Sequence, residues 1–234
     1  ESIGDGKRAL IALGQKNDFQ ADTTEDASLF TEENLRKYKA IIFLSTTQDV
    51  LDPVQQSAFK RFIEAGGGFV GIHAAADTEY EWPWYGKMLG AYFKSHPRIQ
   101  QAKIRKVKPF GPNTLPDTWT RTDEWYNYKQ ISDKINVIFE LDETTYEGGE
   151  NGEHHPIAWY HEYEGGRVFY TGLGHTPESY SDPQFLEHVL QGIQYAVGND
   201  SELDYRKVES KAVPEENRFT KTVLDFNLDE PTEM

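Results

Sequence analysis

With 234 residues the chain is long enough for one sizeable α/β domain, with or without an appendage. It contains no cysteine, which excludes a disulfide framework, a thiolate metal site and a cysteine acyl-enzyme. A formal charge of −15 leaves no surplus of Lys and Arg to neutralise phosphates, so nucleic acid is excluded; such a surface suits a neutral small molecule, or bound cations that attract anions.

The chain opens directly on a helical pattern (Ile3, Ala9, Leu10, Leu13), with Ser2 as a plausible N-cap. A doubly wound domain ordinarily opens with a buried strand, so both ends of the chain read as cuts through a longer polypeptide. Lys39-Ala40-Ile41-Ile42-Phe43-Leu44-Ser45 is a continuous apolar run, as expected of a parallel strand covered on both faces. Asp52-Pro53 then supplies an N-cap side chain and a proline at the first helical position, and Val54, Phe59, Phe62 and Ile63 form the inward face. A glycine run stops that helix. Residues 68–72 make the next strand, which ends at His73 backed by Ala74, Ala75 and Ala76. Small neighbours are what a crowded strand-to-helix elbow requires, and α/β enzymes present a functional side chain there.

Residues 99–107 alternate as a strand, 108–117 are loop, and 136–141 form another strand. Residues 157–160 and 167–172 flank Glu164-Gly165-Gly166, an antiparallel hairpin signal. Asp182-Pro183 opens the last helix, whose apolar face runs from Phe185 to Val197 before Gly198 ends it. The expected fold is therefore a flavodoxin-like, doubly wound sheet with a C-terminal antiparallel extension. No apolar run nears the roughly 20 residues that span a bilayer, and no signal peptide is visible.

Several motifs resemble the ThuA-like (trehalose utilisation) domain. They are Gly66-Gly67-Gly68-Phe69-Val70-Gly71-Ile72-His73-Ala74-Ala75, Trp84-Tyr85-Gly86, Ser95-His96-Pro97, and Arg121-Thr122-Asp123-Glu124-Trp125-Tyr126. His155-Pro156-Ile157-Ala158-Trp159 and the stretch from Gly166 to Thr176 continue the series. The resemblance covers residues 2–198 and implies a class I glutamine amidotransferase-like fold whose usual cysteine is replaced. The family's opening strand, and the loop after it that carries a histidine, would precede Ser2; a His-Pro pair near 109–115 is also absent. Residues 213–219 and 228–234 resemble the lead-in to a sugar-dehydrogenase-type propeller, so 199–234 is expected to be a linker or tail. The resemblance implies an exported or periplasmic setting and a small-molecule carbohydrate as partner.

His73 is a candidate general base, metal ligand or substrate donor; otherwise it is a buried histidine ending a strand. Asp77 lies four residues on and would share its face if the turn were α-helical. His175 follows Thr171-Gly172-Leu173-Gly174 at a second strand end, so both imidazoles are expected over one rim. By analogy with amidotransferases, His175-Thr176-Pro177-Glu178 makes His175 a base and Glu178 its orienting carboxylate; the alternative is a helix cap beside a packed histidine. Of Asp123 and Glu124 only one reaches the pocket, because adjacent strand residues face opposite ways; Glu124 is the choice, against a merely charged turn. His96, Trp125, Tyr126, His155 and His161 are candidate ligand-binding residues in polar-aromatic surroundings. Such aromatics fit sugar faces or, more simply, core and rim packing. His73, Asp77, His96, Glu124, His155 and His175 supply donors that a divalent metal such as zinc accepts, without any local metal motif. The expected function is acid–base chemistry on a disaccharide or keto-sugar; the alternative is a non-catalytic carbohydrate-binding or docking module.

Overall fold

Local signals in the sequence set most of the helix ends. In the computed structural model, which describes residues 2–198 and 202–213, the helices are α1 (Ile3–Lys16), α2 (Glu32–Leu35), α3 (Pro53–Glu64), α4 (Pro83–Leu89) and α5 (Pro183–Val197). Asp52 caps α3 through the backbone N–H groups of Val54 and Gln55, and Gln55 reaches back to Asp52 N–H, completing a capping box. Asp182 caps α5 in the same position before Pro183. Ser2 precedes α1 but does not cap it; its hydroxyl donates to Gly174 O at 3.1 Å, tying the first helix to the loop that carries His175.

The strands are β1 (Ala40–Leu44), β2 (Gly68–Ile72), β3 (Tyr92–Ser95), β4 (Gln100–Lys106), β5 (Thr118–Asp123), β6 (Asn127–Lys129), β7 (Asn136–Asp142), β8 (His155–Tyr163) and β9 (Gly166–Thr171). Seven form one mixed sheet in the order β1-β2-β9-β8-β7-β4-β5, and β3 pairs with β6 apart from it. Only β1, β2 and β9 run parallel; β8, β7, β4 and β5 are antiparallel to their neighbours. The protein is thus an α/β protein with a mixed sheet. Its antiparallel part comes from the middle of the chain, between 100 and 163, rather than the C-terminal end, and β9 afterwards rejoins the parallel strands. The cause is connectivity: parallel pairing needs long crossovers, and this stretch has loops, hairpins and one short 3-10 turn (Glu143–Thr145) but no crossover helix. The β8–β9 turn puts Glu164 at φ 44° and Gly165 at φ 95°, the double left-handed geometry of a tight hairpin.

The core lies on both faces of β2 and β9. All five residues of β2 are buried, and Phe59, Phe62, Phe69, Phe169 and Phe185 are fully enclosed, each worth roughly 2–3 kcal/mol of apolar burial. Helix α5 crosses β2 so closely that a Cβ on Gly68 would sit 2.2 Å from Ala196 O. β1 is apolar but lies at the sheet edge, so only Phe43 among its residues is buried, not both faces throughout. Residues 202–213 pack back on the domain: Asp204 N–H bonds Ala65 O, and Ser210 bonds Glu64. The propeller-like residues from 214 onward lie outside the described residues. Among the described residues no helix is long and apolar enough to cross a membrane.

Candidate functional site

β2 and β9 are parallel neighbours, so their carboxyl ends open on the same edge of the sheet. His73 leaves β2 at φ 52°, a left-handed conformation that costs a side-chain-bearing residue about 1–2 kcal/mol. Tyr170 on β9 holds this elbow by donating its hydroxyl proton to His73 O at 2.8 Å. The buried His73 imidazole points its Nδ1 at Gly172 O, 2.9 Å away. A carbonyl only accepts, so Nδ1 carries the proton and Nε2 is turned toward the cluster.

His175 arrives from the end of β9 on a turn through Gly174, at φ 107°. The backbone N–H groups of Gly174 and His175 donate to the fully buried Asp123 carboxylate at 2.9 and 3.1 Å. Ser179 and Arg121 also bond or pair with Asp123. Glu124 follows β5 and swings in from the third direction. Its Oε2 lies 3.2 Å from His73 Nε2 and 3.2 Å from His175 Nδ1, and the two nitrogens are 3.0 Å apart. Three ionisable groups from the ends of three strands thus meet within one small triangle, and among the described residues these are the ones that could hold a metal ion. Burial pushes the Glu124 carboxyl up, but the His73 hydrogen bond and nearby histidine charge outweigh it, leaving Glu124 below the usual carboxylate range. Burial and the neighbouring His73 pull His175 down against the pull of Glu124 and Asp123.

Two further predicted residues stand at this cluster. His96 places Nδ1 3.2 Å from the other Glu124 oxygen, with its side chain 44% exposed. The Tyr126 ring lies 4.3 Å from the His73 ring and also faces His96. The others are elsewhere. Asp77 accepts from Tyr80 OH at 2.5 Å and does not meet His73, because residues 73–77 form a 3-10 helix, in which the fourth residue along is off the face. Glu178 is exposed on the 3-10 turn Pro177–Ser181 and does not orient His175; Asp123 grips the His175 backbone instead. Trp125 is fully buried, its Nε1 donating to Gln100 O, so its face is closed to a ligand. His155 is buried behind the site, holding Tyr126 O at 2.8 Å and Glu143 at 2.7 Å. His161 sits opposite Val168, well down the β8–β9 ladder from Thr171, and bonds Met88 O. It lines a separate cavity of about 960 Å³ among Tyr80, Lys87, Lys129 and Lys134, away from the cluster.

Asp123, Arg121 and Tyr170 are the supporting residues that sequence reasoning missed. The available signal was the alternation of Arg121 and Asp123 on one face of a strand, the face opposite Thr122.

A family model described as ThuA, trehalose utilisation, matches residues 1–196, and the chain belongs to that family. Among solved structures it is similar to a ThuA-like protein from Bacteroides uniformis ATCC 8492, with 25% identity, 86% of each chain covered and a TM-score of 0.74. A ThuA-like protein from Parabacteroides merdae ATCC 43184 shares 20% identity over 90% of this chain and 88% of that one, with a TM-score of 0.63. A cytoplasmic protein from Salmonella typhimurium LT2 has the same fold at 15% identity and a TM-score of 0.60, over 82% and 85% of the two chains. No curated protein sequence matches the chain.

Proposed function

We propose that His73, Glu124 and His175 form an acid–base centre acting on a disaccharide or its keto derivative. The observation that carries this reading is the convergence of the three groups to 3.0–3.2 Å from separate strand ends. Their role is to move a proton at a position next to a sugar carbonyl or hydroxyl. His175, with 28% of its side chain exposed, is the member a substrate can reach. Glu124 balances the charge that develops on the imidazoles, and His73 is locked in one tautomer by Gly172 O. Proton transfer of this kind supplies about 10²–10⁴ in rate. Trehalose utilisation as the family's description supports a sugar as substrate.

The same feature supports the finer fold assignment, in which β1, β2 and β9 would be the core of a class I glutamine amidotransferase-like sheet, with an imidazole at the elbow where those enzymes need a thiolate. The resemblance of residues 213–219 and 228–234 to a propeller lead-in supports a setting beside a propeller in an exported protein. A purely carbohydrate-binding role is less well supported, since Trp125, its natural stacking platform, is buried.

The test is turnover of a 3-keto disaccharide by the wild type, His73→Ala and His175→Ala, each checked for native circular dichroism. Both variants are expected to lose activity by at least ~100-fold. Normal turnover in both would end this reading.

A further inference from the structure

We infer that His73 Nε2, His175 Nδ1 and Glu124 Oε2 form a facial site for one divalent first-row transition-metal ion. Proton counting leads there first. Each edge of the triangle needs one hydrogen to be a hydrogen bond, and an ionised carboxylate brings none. Each of the two ring nitrogens can carry one, so two protons at most serve three edges. At least one edge therefore sets lone pair against lone pair, or proton against proton, at 3.0–3.2 Å. A cation at the centre satisfies all three.

The dimensions agree. At metal–ligand distances of about 2.1 Å, edges of 3.0, 3.2 and 3.2 Å open ligand–metal–ligand angles of roughly 90–100°. That is nearer the face of an octahedron than of a regular tetrahedron, and two imidazoles with one carboxylate are a donor set for iron, manganese, cobalt or zinc rather than calcium or magnesium. The surroundings match those of built metal sites. The far nitrogen of His73 donates to a backbone carbonyl, the arrangement that aims a ligating histidine. Asp123 clamps the backbone of His175, and His96 approaches the Glu124 oxygen that the ion leaves free. The partial exposure of His175 leaves the outer side of the face open to a substrate oxygen.

The inference deepens the proposed function and rests on that reading only for the substrate. With the ion in place both imidazoles would serve as ligands and would no longer accept the proton, so polarisation of a sugar hydroxyl or carbonyl at the ion's open side would take the place of direct imidazole acid–base transfer.

The test is titration of cobalt(II) and zinc(II) into chelator-stripped protein, read by calorimetry and, for cobalt, by visible absorption. One ion per chain is expected, with weak cobalt bands of a five- or six-coordinate centre. Glu124→Gln and His175→Ala should raise the dissociation constant at least ~100-fold, beyond the 10–100-fold typical of losing an outer partner. Glu178→Gln, on the exposed turn, should leave it unchanged. Absence of stoichiometric binding, or equal binding by Glu124→Gln and His175→Ala, overturns the inference. Turnover of the keto-sugar by stripped protein, unaffected by either ion, also overturns it while leaving the acid–base reading intact. Ion binding by a loaded protein that turns over no sugar does the reverse.

Discussion

Replacing Asp123 with asparagine keeps the side chain's shape and removes its charge, in a place with no water to compensate. The carboxylate is fully buried and accepts from the backbone of Gly174 at 2.9 Å, of His175 at 3.1 Å and of Glu124 at 3.0 Å. It also faces Arg121 at 3.3 Å. An asparagine amide offers one acceptor where there were two, and turns an NH2 toward groups that are themselves donors. Breaking a buried ion pair from one side costs about 3–5 kcal/mol. Arg121 keeps Asp182 at 3.3 Å, and that partner is 29% exposed, so the lower end of the range applies, about 3 kcal/mol. For a protein of this size that corresponds to a fall in Tm of roughly 5–15 °C. Urea unfolding followed by tryptophan fluorescence measures it directly. A double-mutant cycle with Arg121→Met isolates the pair, and the two changes should couple by about 1–3 kcal/mol. A loss below about 0.5 kcal/mol for Asp123→Asn would refute the claim that this carboxylate holds the His175 loop, and simple additivity with Arg121→Met would refute the buried pair.

Two other positions give sharp expectations. His188 on α5 is fully buried between Phe139 and Phe169, neither ring nitrogen has a hydrogen-bond partner among the described residues, and burial, with the Arg121 charge, pulls it down to about 3. Its folded pKa lies below the unfolded value, so its contribution is complete above pH ~6.5 and is lost as pH falls toward 3, by about 1.4 kcal/mol per unit. His188→Leu should flatten the pH dependence of the urea midpoint between pH 6 and 4, and an unchanged slope would count against the assignment. Gly68→Ala forces a Cβ to within 2.2 Å of Ala196 O and should cost about 1–3 kcal/mol or more, whereas Gly4→Ala, in the first turn of α1 with only the Arg8 side chain nearby, should gain about 0.5–1 kcal/mol. Thermal denaturation distinguishes the two signs.

The elements legible in the sequence were those announced by short-range chemistry. Asp52-Pro53, Asp182-Pro183 and the Glu164-Gly165 hairpin each contain their own reason for turning, and apolar runs mark β1, β2 and β9. Strands β3, β5 and β6 were not legible because they are short or carry polar side chains, and their pairing is decided by partners far along the chain. The same division runs through the site. His73 and His175 stand out because each follows a glycine-containing strand end, a local pattern. Asp77 misled because α-helical spacing was applied to a turn that is 3-10. Glu178 misled because a sequence-adjacent carboxylate is a natural guess, while the group that holds the His175 backbone, Asp123, comes from more than 50 residues away. The side chain of Trp125 follows its neighbour's rule: consecutive residues diverge, so when Glu124 enters the site Trp125 turns into the core.

Glu124 also shows why the site depends on the whole sheet. β5 is four strands removed from β9, which in a flat sheet means about 4.8 Å per step and nearly 20 Å in all. Yet Asp123, at the end of β5, bonds the backbone just after β9 at 2.9 Å. The antiparallel half must therefore curl back over the carboxyl edge of the parallel strands. Strand β7, in the middle of that half, has register shifts on both sides of Phe139, the irregularities that sharpen twist and bend a strand. Straightening β7 would leave every residue of the triangle present and carry Glu124 out of reach of both imidazoles. The position of the third member is thus fixed by curvature summed over four strands, a quantity that no single stretch of sequence encodes, while the first two need only a pair of adjacent parallel strands.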